Sequence, residues 1–236
     1  IGTLLSREEG KTLPEGIGEV IRSGQQFQYY AASALRQFGE NIASTREGVS
    51  VEMTREPVGV CGIISPWNFP IAIAAWKSAP AMAFGNAVVL KPASQTPASA
   101  IALTKIISDQ KDIPDGLFNL VLGGGGTIGQ QISGHKDINA ISFTGSVGVG
   151  QTIYMEAAKP MKKMQLEMGS KNPLVVMDDA DLDIAVACAT NGAYGGTGQK
   201  CTASSRLIVH EKVYKKFIEK LIENLKGLKV GHALEE

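Results

Sequence analysis

The sequence predicts an α/β protein built on an open, doubly wound parallel sheet with helices on both faces. Apolar runs of strand length alternate with apolar helical patterns across residues 58–167. The strands are apolar on both faces, which is typical of a parallel sheet covered on each side. Glycine and polar residues follow the strands, in the loops where such sheets bind ligands.

Two segments precede this alternation. Residues 15–39 carry apolar side chains near one helical face and predict a helix. Residues 40–56 are mostly polar, with a short alternation at Val49, Val51 and Met53 that predicts an exposed strand or arm. Ile1 lies close to a predicted helix start at residues 6–9, and no closing element follows residue 231. We therefore expect both ends to be cut and a piece of the fold to be missing.

The alternating region predicts five strands and the helices between them. These elements are strand 58–64, helix 69–84, strand 87–90, helix 97–108, strand 117–122, helix 127–133, strand 140–143, helix 147–158 and strand 164–167. A second unit begins after residue 169 and is too short to close a domain. It comprises strand 173–177, helix 181–194, a glycine-rich loop to residue 201, strand 206–210 and helix 213–226.

Composition excludes several kinds of partner. Twenty-three basic residues balance 23 acidic ones, so there is no field to attract nucleic acid or anionic lipid. The longest apolar stretch, 69–89, is interrupted by Lys77 and Pro80 and does not predict a membrane span. Three cysteines indicate reduced thiols in a cytoplasmic protein. Cys61 and Cys188 fit buried structural positions in a strand and a helix.

Several residues allow both a chemical and a purely structural interpretation. Glycines 124, 126 and 129 fit a dinucleotide-binding spacing, but no acidic residue follows at the usual distance, so a tight turn is as good an interpretation. Ser146 is suited to cap the next helix and to present N–H groups to a pyrophosphate. Lys91 is either a surface charge or a nucleotide contact.

The catalytic candidates are equally ambiguous one by one. Cys201 lies among glycines beside Lys200, which would favour the thiolate, although a lone cysteine is usually a small buried residue. Glu167 ends a strand and is either a solvated terminus or a general base with raised pKa. Asn68 is either a helix cap or an oxyanion donor.

Five motifs in order remove this ambiguity, because their sequence and spacing resemble those of the aldehyde dehydrogenase superfamily over essentially the whole chain. The motifs are SPWNFP at 65–70, KPAS at 91–94, FTGS at 143–146, LEMG at 166–169 and GQKC at 198–201. The resemblance implies an NAD(P)-binding domain at 1–39 and 57–168. It also implies a bridging or oligomerisation arm at 40–56 and the N-terminal part of a catalytic domain at 169–236.

The resemblance also implies a mechanism. Cys201 matches the nucleophile that forms a thiohemiacetal and then a thioester, and Asn68 matches the donor to its oxyanion. Glu167 matches the base that activates the hydrolytic water. No metal is implied. Acylating relatives that use coenzyme A usually lack this glutamate, so water is the expected acceptor. A truncated nucleotide-binding fragment without turnover is the alternative from another class.

For the cofactor, NADP or NAD, the resemblance implies contacts from one set of residues: Ile64, Pro66, Trp67, Lys91, Ser94, Gly125, Gly129, Phe143, Ser146, Val149 and Met168. Ser94 stands where NAD-preferring members often carry a glutamate that repels a 2′-phosphate, so NADP+ should be tolerated. Ser170 replaces a glycine usual in the family.

Substrate positions are implied at Phe69, Trp76, Gly195, Lys200 and Thr202. Residues 199–206 look most like those of 2-oxoglutarate semialdehyde dehydrogenases, and Lys200 would attract a carboxylate. The family's later segment that binds the nicotinamide ribose is absent, so the chain is not expected to complete its own active site. The resemblance further implies a homodimer or homotetramer.

Overall fold

A computed structural model describes residues 1–36 and 39–235. Four elements precede the main sheet: α1 (Gly2–Glu9), α2 (Leu13–Ala34), β1 (Glu40–Ala43) and β2 (Ser50–Met53). The predicted start at 6–9 is wrong, because those residues form the last turn of α1. The predicted helix 15–39 ends too late, since α2 ends at Ala34 and Leu35 is 90% exposed. Positions 37 and 38 lie outside the described residues. The predicted exposed arm is an antiparallel hairpin.

A five-stranded parallel sheet follows and confirms the predicted fold class. Its elements are β3 (Val60–Ile64), α3 (Ala72–Ala83), β4 (Ala87–Lys91), α4 (Pro97–Ser108), β5 (Phe118–Leu120), α5 (Gln130–Gly134), β6 (Ala140–Gly145), α6 (Val147–Ala158) and β7 (Lys163–Met168). The strand order is β5-β4-β3-β6-β7, so the chain reverses direction across the sheet between β3 and β6. Ligands bind at such a switch point in doubly wound folds.

The two faces of this sheet carry separate hydrophobic cores. Ile63 is buried against α4 through Leu103, whereas its neighbour Ile64 packs with Ile153 of α6. Successive strand residues point to opposite faces, so one strand supplies both cores. Each such aliphatic side chain contributes about 1.5–3 kcal/mol by burial. The carboxyl ends of the strands are thereby held rigidly at one edge.

The second unit is a two-stranded parallel sheet with two helices: β8 (Asn172–Val176), α7 (Leu182–Tyr194), β9 (Ser204–Val209) and α8 (Glu211–Lys226). Its core joins Val186 and Ala189 of α7 to Phe217. Cys188 falls outside this buried stripe and is exposed, so the predicted buried position is wrong, and Cys61 is only half-buried. Within the described ranges, none of the helices combines the length and apolar character needed to cross a bilayer.

Candidate active site

The structure joins Asn68, after β3, to the loop that carries Cys201. The Asn68 side-chain amide donates a hydrogen bond to the carbonyl of Gln199 at 2.6 Å, across 131 residues of sequence. On the other side of the loop, the Asn172 amide donates to the Cys201 carbonyl at 2.7 Å. The Cys201 side chain is exposed. A donor group is thus bound to the loop that carries the thiol, although the two are far apart in the sequence.

The Cys201 loop has an unusual backbone. After α7 a short 3₁₀ turn, Gly195–Gly198, places Gly196, Thr197 and Gly198 at φ values of 60°, 56° and 72°. Glycine adopts this left-handed conformation freely, but Thr197 is strained there by about 1–2 kcal/mol. A Cβ on Gly195 would lie 2.5 Å from the Asn191 Oδ1 and 2.8 Å from the Lys200 Nζ, so a larger residue would require these two side-chain ends to move. Strained backbone of this kind is concentrated at functional sites.

Glu167 lies near the carboxyl end of β7, two strands away from β3 in the sheet, and belongs to a polar network. Its carboxylate accepts a hydrogen bond from the Gln165 amide at 2.7 Å. The side-chain oxygen of Gln165, Oε1, in turn accepts a hydrogen bond from the Lys77 ammonium at 2.8 Å and another from the Ser142 hydroxyl. Among the described residues, no hydrogen bond connects Glu167 with Asn68 or Cys201. The carboxylate is exposed at the strand edge.

Lys77 is a functional candidate that the sequence reasoning missed. It lies on α3, is 7% exposed, and also donates to the Ser142 hydroxyl at 2.7 Å. Burial lowers the pKa of Lys77 to about 8, and the nearby negative charge of Glu167 partly opposes that shift. The sequence contained a signal for it: Lys77 is a charged residue within an otherwise apolar helix, and a buried charge must find polar partners.

A cleft at the carboxyl edge collects part of the predicted cofactor set. It measures about 320 Å³ and lies between α6 and a π-helical turn, Gly125–Gly129, that precedes α5. Four predicted residues line it: Ile64, Gly125, Gly129 and Val149. Six more lining residues are outside the predicted cofactor set: Gly126, Gln130, Ser133, Thr152, Ile153 and Glu156. Thr152 and Glu156 follow Val149 at helical spacing, so the periodicity of α6 would have identified them.

The other predicted cofactor positions are not among the residues that line this cleft. Ser146 caps α6, as predicted, and its hydroxyl accepts from the Val149 N–H at 3.5 Å. Lys91 is buried and donates to the Pro92 carbonyl at 2.7 Å, and burial lowers the pKa of Lys91. Ser94 is exposed. Phe143 lies in the core, so its ring does not reach the surface. Three predicted residues are at least partly exposed near the strand ends: Pro66, Trp67 and Met168.

The predicted substrate positions either follow Asn68 in the sequence or lie within six residues of Cys201. Phe69 is half-buried, with the Lys11 ammonium 3.9 Å from its ring centroid. Trp76 and Thr202 are exposed, and Lys200 is half-buried. In the described part of the chain, no cluster of three or more histidine, cysteine or acidic side chains is arranged to hold a metal ion.

The fold and these positions define a doubly wound α/β sheet that the Asn68–Gln199 hydrogen bond joins to a loop with an exposed cysteine. The family model described as "Aldehyde dehydrogenase family" matches residues 1–236. The chain therefore belongs to the aldehyde dehydrogenase family, which confirms the resemblance inferred from the motifs.

Individual relatives match throughout the chain. The alpha-ketoglutaric semialdehyde dehydrogenase of Bacillus subtilis is 46% identical over 100% of this chain and 48% of that protein. An NADP-dependent enzyme of E. coli has a TM-score of 0.97 at 37% identity, covering 100% of this chain and 49% of the other. Betaine aldehyde dehydrogenase of Staphylococcus aureus, solved with NAD+, has a TM-score of 0.96 at 38% identity. That match covers 99% of this chain and 46% of the other. The chain thus spans about half the length of the relatives it matches.

Proposed function

We propose that the whole protein is an NAD(P)+-dependent aldehyde dehydrogenase that oxidises an aldehyde to the free acid. The observation that carries this proposal is the 2.6 Å hydrogen bond from Asn68 to the carbonyl of Gln199, two residues before Cys201. An amide carries two N–H groups, so the second N–H remains to donate a hydrogen bond to an oxyanion formed at the cysteine. Family membership supports the same assignment.

In this mechanism the Cys201 thiolate adds to the aldehyde carbon and forms a thiohemiacetal. The Asn68 amide and the Cys201 backbone N–H stabilise the negative charge on its oxygen. A bound nicotinamide would supply the hydride acceptor for this carbon, and loss of the hydride would leave a thioester on Cys201. Glu167 then takes a proton from water, whose oxygen attacks the thioester carbon. The Cys201 thiolate leaves and the acid is released.

The cleft between α6 and the turn at Gly125–Gly129 has the composition expected for the adenosine part of the cofactor. Its lining is mainly apolar, with Glu156 as a polar group that could orient a sugar. The start of α6 at Ser146 presents N–H groups to the pyrophosphate. Because Ser94 is exposed and uncharged, we infer that NADP+ is accepted as well as NAD+.

The test is NAD(P)H formation by the whole protein and by Cys201→Ser. We expect Cys201→Ser to lose turnover and to retain cofactor binding. Cys188→Ser is the matched control, because Cys188 is also exposed but lies on α7 outside the site, and it should keep wild-type activity. Turnover by Cys201→Ser would exclude the proposed nucleophile. Acyl transfer only in the presence of coenzyme A would exclude hydrolysis as the second step.

We also propose a carboxylated semialdehyde, such as 2-oxoglutarate semialdehyde, as the substrate. Lys200 supports this choice, since it adjoins Cys201 and is half-buried. The name of the Bacillus subtilis relative points to the same class. Lys200→Met should lower kcat/KM about tenfold or more for succinic semialdehyde and leave butanal oxidation nearly unchanged. Equal losses with both aldehydes would refute a carboxylate contact.

The remaining assignments concern organisation. We propose a cofactor domain at 1–39 and 57–168 and the N-terminal part of a catalytic domain at 169–236. The arm at 40–56 contains a hairpin whose residues are all exposed, and an isolated two-stranded hairpin is marginally stable. We therefore infer that the arm contacts another copy in a homodimer or homotetramer. The reduced thiol that the mechanism requires fits a cytoplasmic location.

A further inference from the structure

A buried ion pair lies behind the Asn68 turn, outside the residues assigned to the reaction. Lys11 and Glu19 are 2% and 5% exposed, and the Lys11 Nζ lies 2.6 Å from the Glu19 Oε2. Removing two charges from water is costly, and a buried pair is often no more stabilising than apolar residues of the same size. The pair therefore calls for an explanation other than stability.

The other hydrogen bonds made by the two charged side-chain groups reach one turn of the chain, between Asn68 and Ala72. The Lys11 ammonium donates to the Asn68 carbonyl at 2.8 Å. The second Glu19 oxygen accepts from the backbone N–H groups of Ile71 and Ala72, both at 3.0 Å. These N–H groups lie at the start of α3 and have no partner within that helix. One ion pair thus holds both ends of the segment between Asn68 and α3.

Helix α2 also contacts the opposite side of the site. Glu15 lies one turn before Glu19, and its carboxylate accepts from the Gly196 N–H at 2.8 Å in the loop that carries Cys201. Two carboxylates on one face of α2 therefore bind the two segments that the Asn68–Gln199 hydrogen bond joins. Hydrogen bonds to charged groups are about twice as strong as neutral ones.

We propose that the Lys11–Glu19 pair is a positioning unit for the amide of Asn68. It fixes the Asn68 backbone, while the Asn68 side chain binds the Gln199 carbonyl in the loop that carries Cys201, and the pair itself is not expected to touch aldehyde or cofactor. Misplacing a catalytic group by about 1 Å can slow a reaction about 100-fold. The pair therefore acts on hydride transfer through Asn68. This inference rests on the proposed function.

The test is a double-mutant cycle in the whole protein, with Lys11→Met, Asn68→Ala and the double variant. The rate of the first NAD(P)H burst is measured at saturating aldehyde and cofactor, together with the dissociation constant of NADP+. We expect Lys11→Met to slow the burst about 10- to 100-fold and to leave cofactor binding unchanged. In the Asn68→Ala background, adding Lys11→Met should change the burst less than about twofold, because the positioned group is already gone.

Glu8→Gln is the matched control. Glu8 is another carboxylate from the N-terminal segment that caps a helix, since it accepts from the N–H groups of Ala98 and Ser99 at the start of α4. It does not contact the Asn68 turn, so its burst rate should equal that of the wild type. A comparable loss in Glu8→Gln would show a general structural effect and overturn the proposal.

A second variant covers the case in which Lys11→Met does not fold. Glu19→Gln keeps an oxygen for Ile71 and Ala72 and removes the negative charge 2.6 Å from the Lys11 Nζ, while the Glu9 carboxylate 3.9 Å from that nitrogen remains. The same cycle with Asn68 should therefore be non-additive. If neither variant folds, the pair is structural and the proposal is wrong. A wild-type burst in Lys11→Met, or equal losses in both backgrounds, also refutes it. A wild-type burst in Asn68→Ala would instead refute the proposed function.

Discussion

Lys77 provides a quantitative prediction about how stability depends on pH. Its ammonium is 7% exposed, and burial lowers its pKa from 10.5 to about 8. Below pH about 8 the lysine is charged in both the folded and the unfolded chain, and the folded state bears the cost of burying the charge. Between about 8 and 10.5 only the unfolded chain holds the proton, so stability rises with pH.

The expected size of this effect follows from the two pKa values. The full difference corresponds to about 3 kcal/mol, and about 2 kcal/mol of it should develop between pH 7.5 and 9.5. Urea unfolding of the wild type and of Lys77→Met measures it as the pH dependence of the difference in unfolding free energy. The unfolding free energy of the wild type should rise by about 2 kcal/mol relative to that of the variant between pH 7.5 and 9.5.

Lys105→Met is the control for this measurement, because Lys105 is 74% exposed in its side chain and its loss removes no buried charge. Its stability relative to the wild type should stay constant across the same range. A constant difference between the wild type and Lys77→Met would refute the reasoning, since it would mean that burial does not affect the lysine proton.

Three further predictions concern the cofactor region and the core. Ser94→Glu should weaken NADP+ binding about tenfold or more and change NAD+ binding little, and titration of both cofactors measures this. Val149→Trp should fill the 320 Å³ cleft and weaken cofactor binding at least about tenfold without unfolding the chain, because Val149 is half exposed. Gly62→Ala should lower the free energy of urea unfolding by about 1–3 kcal/mol, since its Cβ would lie 2.5 Å from the Ile132 Cγ2. Gly18→Ala is the control: it lies in α2 with no atom within 4 Å of its Cβ and should stabilise the chain slightly.

The sequence predicted the sheet and several helices well where local signals agree with packing. Helix α4 begins at Pro97 and α6 follows the Ser146 cap, and both have the predicted bounds. The C-terminal end of α2 was predicted too late: the helix ends at Ala34, and Leu35, which continues the apolar pattern, is 90% exposed. Propensity and periodicity do not report such a missing partner.

The site was only partly predictable for a related reason. Asn68, Glu167 and Cys201 occur in recognisable motifs, so the resemblance selects them. The residues that support them do not occur in recognisable motifs. Lys11 and Glu19 are separated by a helix start and look like surface charges, and only the tertiary fold brings them to the Asn68 turn. Contacts of this kind depend on non-local packing that a single sequence does not display.

The most direct test of the proposed mechanism is the reaction of Glu167→Gln in the whole protein with aldehyde and NADP+, followed by rapid mixing and intact-mass measurement. We predict one equivalent of NADPH per site in a rapid burst, then no further turnover, and an acyl group attached to Cys201. Glutamine cannot take the proton from water, so the thioester should persist. Continued steady turnover without an acyl adduct would contradict both the thioester intermediate and the role of Glu167.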